Sequence, residues 1–378
     1  QYQAPLLRRI NQEPDIDLTV YFCWDFGIKE KTYDKEFGRR IKWDIPILEG
    51  YKYKFLTNFS LNPSSNFLGQ INPGIIWELI KHRYDAVLVF SWNSFTNWLA
   101  FFTAFVIKTP VFLRGENPFN QELLKSNFKR KIKKIILGWL FKRIDAFLCI
   151  GEENKKFYQH YNVPKSKLFF VPYAVDNERF IGEFWRLRNK KNEFKKELGI
   201  GPNDAVILFV GKLINKKRPL DLLMAYEKIK KDEKALVFVG EGILRKDIEK
   251  YIKEKNLKNI YFAGFKNQTE LSKYYVLADI LVLPSQEGET WGLVVNEAMC
   301  FGLPVIISDV VGCGSDLVKE GINGYIFPVG DIDKLSQRLE DLIENPQKRM
   351  DFGEKSFEII QNYSYQKDIE GISAALKR

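Results

Sequence analysis

The chain has 378 residues, with 58 Lys and Arg against 48 Asp and Glu, a formal net charge of +10. An apolar fraction of 45% and a charged fraction of 28% exclude a disordered chain, a collagen and a disulfide scaffold, and the length suits two domains. The longest apolar run, Trp98 to Ile107, is too short for the ~20 residues that a membrane-spanning helix needs.

In chain order, the opening stretch QYQAPLLRRI reads as a helix. Predicted strands follow at 17–23, 85–91, 109–114, 145–151 and 168–172 in the first half. In the second half they fall at 205–211, 235–240, 259–264, 279–285 and 303–308. Most are continuous β-branched or apolar runs rather than alternating ones, as expected of strands buried on both faces of a parallel sheet. Amphipathic stretches such as RPLDLLMAYEKIKKD lie between them, so the reading is α/β, with two doubly wound domains. The join is placed near VPYAVDNERF. Domain one is 1–173, with 362–378 returning to it as a C-terminal helix, and domain two is 174–361.

The charge divides unevenly between these halves. Residues 1–175 hold 26 cations and 16 acids, net +10, whereas 176–378 hold 32 of each. Cys23, Cys149, Cys300 and Cys313 form no C-x-x-C pair and only two histidines occur. A zinc site is therefore not expected, and reduced thiols in a cytoplasmic setting are. Two Asp-x-Asp triplets, at Asp15 and Asp331, are read as a strand start and a helix N-cap rather than as metal ligands.

In open parallel sheets ligands bind beyond the carboxyl ends of the strands. The turns there carry Lys212, Lys216, Lys217 and Arg218, then Glu241, then Phe265, then the run QEGETWGLVVNEAMCFGLP. Gly292 permits close backbone approach, and a helix starting near Leu293 would turn unpaired N–H groups toward an anion. Glu289 lies before that helix and Glu297 about one turn into it. Carboxylates accept hydrogen bonds from hydroxyls, and Lys212 and Lys217 could neutralise a diphosphate between two sugar rings. The bland alternative for each is a solvated acid or an exposed basic turn.

The run PSQEGETWGLVVNEAMCFGLPVIISD resembles the E-x7-E signature of the retaining group 1 glycosyltransferases. FVGKLINKKRP, VFVGEG, FAGF, DLVKEGINGYIFPVGD and the interdomain VPYAVDNERF are also similar to theirs. The resemblance implies the GT-B fold, two Rossmann-like domains facing a central cleft, with the donor bound by the second domain and the acceptor by the first. It implies that Glu289 contacts the donor sugar and Glu297 the ribose. Lys212 and Lys217 would bind the diphosphate, Gly292, Leu293 and Val294 would offer backbone amides, and Phe265 and Glu241 would line the donor site. Lys212 stands where the family usually has Arg, which keeps the charge but loses the guanidinium fork. The expected activity is transfer of a sugar from a nucleoside diphosphate sugar to a glycan or lipid-linked acceptor in cell-surface polysaccharide synthesis. It would be a hexosyltransferase-type reaction that requires no metal or cofactor. In the turn LRGENPFN, where relatives often place a His, Glu116 is read either as an aid to acceptor deprotonation or as a partner of Arg114. The first strand and glycine turn usual in the family are not visible.

The segment 128–144 combines Phe128, Ile132, Ile135 and Trp139 at helical spacing with Lys129, Arg130, Lys131, Lys133, Lys134, Lys142 and Arg143. It reads either as a helix packed on the first sheet or as an attachment to an anionic membrane surface on the inner face of the cell membrane. No nucleic-acid module occurs, so nucleic acid is not an expected partner. Two other functional classes fit the same residues: a GT-B nucleotide-sugar epimerase and a non-catalytic, membrane-associated sugar-nucleotide binding protein.

Overall fold

The computed structural model describes every residue except Gln1, Gly27, Lys29, Glu30, Lys31 and Lys35; the side chains of Thr32, Arg39 and Lys129 also lie outside the description. The strands are β1 (Thr19–Phe22), β2 (Thr32–Asp34), β3 (Arg39–Ile41), β4 (Lys52–Phe55), β5 (Val87–Phe90), β6 (Val111–Arg114), β7 (Ala146–Cys149) and β8 (Leu168–Phe170). They continue with β9 (Ala205–Val210), β10 (Lys234–Val239), β11 (Ile260–Gly264), β12 (Ile280–Leu283), β13 (Val305–Ser308) and β14 (Gly324–Phe327). Two compact units result. One holds Gln1–Glu30, Pro46–Tyr173 and Tyr365–Arg378; the other holds Lys31–Ile45 and Ala174–Ser364.

In the second unit one parallel sheet runs in the order β11-β10-β9-β12-β13-β14. Its centre is apolar on both faces: Val206, Ile207, Leu208 and Phe209 are all fully buried. The helices Pro219–Lys228 and Ile332–Glu344 seal one face through Leu222, Tyr226, Leu335 and Leu339. From β9 the chain winds outward through β10 to β11, then returns to the other side of β9 as β12. That reversal makes the carboxyl ends of β9 and β12 the switch point where a doubly wound sheet opens a crevice.

The first unit differs from a single doubly wound sheet. Strands β5-β6-β7-β8 form one parallel sheet and β1-β4 a separate parallel pair. Among the described residues β1 pairs only with β4, and β5 only with β6. Their side chains are less covered as a consequence: β1 is half-buried throughout, whereas β6 and β7 are buried at every position. Asn72, fully buried, ties the ends of β1 and β4 by donating to Cys23 O and Leu56 O at 3.1 Å each.

The segment 31–45 departs from the expected division at residue 173. The antiparallel hairpin β2-β3 clusters with the second unit. Its contacts explain why: Asn267 donates to Lys42 O at 2.8 Å, Thr269 N donates to Asp44 at 3.1 Å, and Phe37 meets Phe265 edge to face at 5.0 Å. The C-terminal helix Tyr365–Leu376 belongs to the first unit, and residues 362–364 to the second. A side chain at Gly371 would lie 2.0 Å from Phe170 O, so glycine lets this helix rest directly on β8.

That helix also carries a buried acid. Asp368 is fully buried and meets Arg114, itself 3% exposed, at 3.2 Å. Arg114 additionally donates to Pro172 O at 2.9 Å. Desolvation outweighs the arginine and pushes the Asp368 carboxyl up to about 7. An acid raised in this way keeps its proton in the folded state above an unfolded-state value of about 3.9, so its contribution to stability declines as pH rises from about 4 to about 7. Asp368→Asn is expected to remove this decline. In urea titrations at about pH 5 and about pH 7.5, wild type should lose on the order of a few kcal/mol relative to the variant. Equal pH dependence in the two proteins would refute the buried-acid account.

Candidate active site

The site is built where β9 and β12 end. After β9 the chain turns at Gly211 and reaches Lys212, and a short 3-10 turn, Asn215–Lys217, follows. Tight stacking of neighbouring turns holds this rim. A Cβ at Gly240, after β10, would fall 1.9 Å from Gly211 O, and one at Gly242 would fall 2.4 Å from Leu213 O. Leu213 N donates to Glu241 O at 2.9 Å, so the two strand-end turns are also hydrogen-bonded.

After β12, residues 284–292 loop over to the helix Leu293–Cys300. Gly292 caps that helix in the left-handed region, φ 101°. A side chain there would meet Leu283 Cδ2 at 2.7 Å and Val311 Cγ1 at 3.3 Å, so both backbone and space require glycine. The loop is fixed from below: Gly312 N donates to Glu289 O, Cys313 N to Trp291 O, each at 3.1 Å, and Trp291 Nε1 to Asn296 Oδ1 at 2.8 Å. Leu293 and Val294 are half-buried at the first turn, where a helix offers N–H groups with no intrahelical acceptor.

Two expected residues meet here. Lys217 forms an ion pair with Glu289, and Ser285 Oγ donates to the same Glu289 oxygen at 3.2 Å. Both partners are mostly buried, with side chains 15% and 12% exposed. The neighbouring cations are engaged elsewhere. Lys216 donates to Gly288 O at 3.1 Å, while Arg218 pairs with Asp221 at 2.6 Å and donates to Gln286 at 3.2 Å. These bonds strap the β9 turn to the β12 loop and leave Lys217 as the member of the basic run that reaches Glu289.

The remaining candidates occupy distinct surroundings. Lys212 is held by the hairpin, pairing with Glu36 at 2.6 Å and Asp34 at 3.1 Å, its ammonium 4.6 Å from the Phe37 ring centre. The acidic hairpin was not anticipated from sequence. Phe265 is half-buried against that same Phe37. Glu241 lies beside Gly264, where a Cβ would come within 3.3 Å of its Oε1, and 3.9 Å from Arg245. Glu297 is fully buried and accepts a hydrogen bond from Tyr275 Oη. Glu116 lies in the first unit, hydrogen-bonded to Tyr173, and Arg114 pairs with Asp368.

Of the Asp-x-Asp triplets, Asp331 accepts from Lys334 N at 2.8 Å as a helix N-cap, and Asp17 pairs with Lys52 at 2.7 Å. All four cysteines are free thiols. A groove of about 870 Å³ lies between Trp185, Tyr275, Phe301 and Met350, bordered by Asp279 and Pro304. Those last two residues precede β12 and β13, at the sheet end opposite to the strand carboxyl termini, and the groove meets the candidate site only through Tyr275, which donates to Glu297.

The family described as glycosyl transferases group 1 matches residues 190–358. Those residues form a group 1 glycosyltransferase domain. The chain is 32% identical over 172 residues to an uncharacterized glycosyltransferase of Methanocaldococcus jannaschii, covering 44% of this chain and 43% of that protein. It is 29% identical over 272 residues to the UDP-Gal:alpha-D-GlcNAc-diphosphoundecaprenol alpha-1,3-galactosyltransferase of Escherichia coli, covering 69% and 67%. It thus spans 43% to 67% of the length of these relatives.

Among solved structures, Anabaena HepE in complex with UDP and glucose superposes with a TM-score of 0.71 at 17% identity, over 100% of this chain and 96% of that one. The apo form of the lipopolysaccharide outer core galactosyltransferase WaaB gives 0.67 at 17%, over 100% and 94%. These likenesses establish the fold: an α/β protein with parallel sheets in the GT-B manner. The matched domain contains Lys212, Lys217, Glu241, Phe265, Glu289, Gly292 and Glu297; Glu116 lies outside it.

Proposed function

We propose that the chain is a retaining glycosyltransferase that moves a sugar from a nucleoside diphosphate donor to a hydroxyl of a glycan or lipid-linked acceptor in cell-surface polysaccharide synthesis. The observation that carries this reading is the Lys217–Glu289 pair beside the left-handed Gly292 cap, at the switch point of the second unit's sheet. There Lys217 would neutralise charge building on the departing diphosphate, and the first amides of the helix Leu293–Cys300 would share it. Glu289 would exchange its lysine for donor-sugar hydroxyls, and Glu297 would hold the ribose through the network it shares with Tyr275. Phe265 would flank the base and Glu241 the rim. With no side chain assigned as a nucleophile, the reading is attack by the acceptor hydroxyl from the face that the diphosphate leaves, and Glu116 is assigned to the acceptor. UDP is the first nucleotide to try, because the similar Escherichia coli enzyme is a UDP-Gal transferase and HepE forms a complex with UDP.

The test is a thermal-shift screen of UDP, GDP and ADP sugars, then transfer assays with the stabilising donor and an NMR assignment of the product anomer. A donor that raises the melting temperature and yields a glycoside of unchanged anomeric configuration is the expected result. Failure of every nucleotide to stabilise the chain would overturn the donor site. Donor consumption without a glycoside would favour an epimerase.

A further inference from the structure

We propose that the outward face of the helix Asn127–Phe141, with its neighbour Phe95–Ile107, docks the chain on an anionic lipid bilayer. Packing on the first-unit core is carried by Leu137, Leu140 and Phe141, exposed by only 1%, 0% and 3%. At about 100° per residue, Phe128, Ile132, Ile135 and Trp139 fall on the opposite side. They are 71%, 44%, 75% and 38% exposed. A surface helix of a soluble protein normally turns charge to water and apolar residues to the core; this one carries apolar residues on both faces. The stripe extends beyond one helix. The Trp139 ring lies 5.6 Å from Phe102 and 6.5 Å from Trp98, and Phe102 and Val106 are 48% and 80% exposed.

Charge selects the occupant. Lys131 and Lys142 border the stripe on one side and Arg143 on the other, and all three are exposed. No Asp or Glu occurs between Asp85 and Glu116, nor between Glu122 and Asp145, while the latter interval contains eight Lys or Arg. Glu122 is buried and pairs with Lys125 and Lys133. A bilayer interface satisfies both features at once: the apolar stripe enters the acyl boundary while the cationic heads stay among lipid phosphates. A second copy of the chain would set cations against cations, and a nucleic acid could stack on Phe128 or Trp139 but would leave Ile132, Ile135 and Val106 uncovered. No helix among the described residues is long and apolar enough to cross a membrane, so the attachment is to its surface.

The test uses the full chain and does not depend on donor chemistry. Vesicles of phosphatidylcholine containing about one third phosphatidylglycerol should co-sediment the protein, added salt should release it, and pure phosphatidylcholine should bind it far more weakly. Lys131→Gln combined with Lys142→Gln is expected to weaken binding roughly tenfold or more. Ile135→Ser should weaken it several-fold without moving the melting temperature, since that side chain is 75% exposed. Equal binding to both vesicle types, or unchanged binding by both variants, would overturn the proposal. So would a dimer in sedimentation velocity that Ile135→Ser disperses without any vesicle binding, or tighter binding to a DNA duplex than to anionic vesicles.

Discussion

Lys217→Ala is expected to lower transfer turnover by about a hundred- to a thousandfold, the usual range for losing one preorganised group that meets transition-state charge. The effect should fall mainly on kcat. The diphosphate carries more negative charge as it departs than while it is bonded to the sugar, so the ammonium gains most in the transition state. Folding should be affected less. After truncation Glu289 keeps the Ser285 hydroxyl at 3.2 Å, and its side chain retains 12% exposure to water. Lys216 and Arg218 cannot readily substitute, because both are tied to the loop at Gly288 and Gln286. The measurement is steady-state kinetics beside a melting curve. Near-normal kcat in a folded variant would remove Lys217 from the diphosphate site and weaken the proposed chemistry as a whole.

Gly292→Ala is expected to cost about 2–4 kcal/mol of stability and to abolish the melting shift produced by a bound nucleotide. Two penalties coincide. The residue sits at φ 101°, where a Cβ is strained, and that Cβ would overlap Leu283 at 2.7 Å. Relief requires the helix start to move, carrying the amides of Leu293 and Val294 with it. Gly182→Ala is the control: it lies within the helix Asn177–Leu187 with nothing inside 4 Å of its added carbon, and alanine should be neutral or mildly stabilising there. A Gly292→Ala protein that melts like wild type would show that the loop does not need its left-handed cap.

Much of the second unit is legible in sequence because its strands are buried on both faces and therefore read as unbroken apolar runs. Strands β9 to β13 fall within or beside the predicted segments for that reason. Strand β4, Lys52–Phe55, escapes because it alternates lysine with aromatic residues and is exposed at its first three positions. Strand β14 is short and opens on Gly324, where a side chain would strike Val305 O at 2.0 Å; glycine there reads as a turn, although it reflects close strand approach. The site is legible as a set of residue types at a spacing, but not in its pairings. Nothing local announces that Tyr275 bonds Glu297, that Asp368 pairs with Arg114, or that Phe128 and Ile135 are exposed. Each depends on which elements the fold makes neighbours.

The hairpin β2-β3 has one more implication. With Asp34 and Glu36 resting against Lys212, the ammonium donates to two anionic carboxylates. If Lys212 binds the diphosphate as proposed, nucleotide entry there would be an ion exchange, carboxylate for phosphate, rather than the capture of a bare cation. Its free energy reflects the difference between two sets of contacts rather than the whole strength of either. On the proposed reading, the affinity for a donor would be set in part by Asp34 and Glu36, the residues that its phosphate would displace.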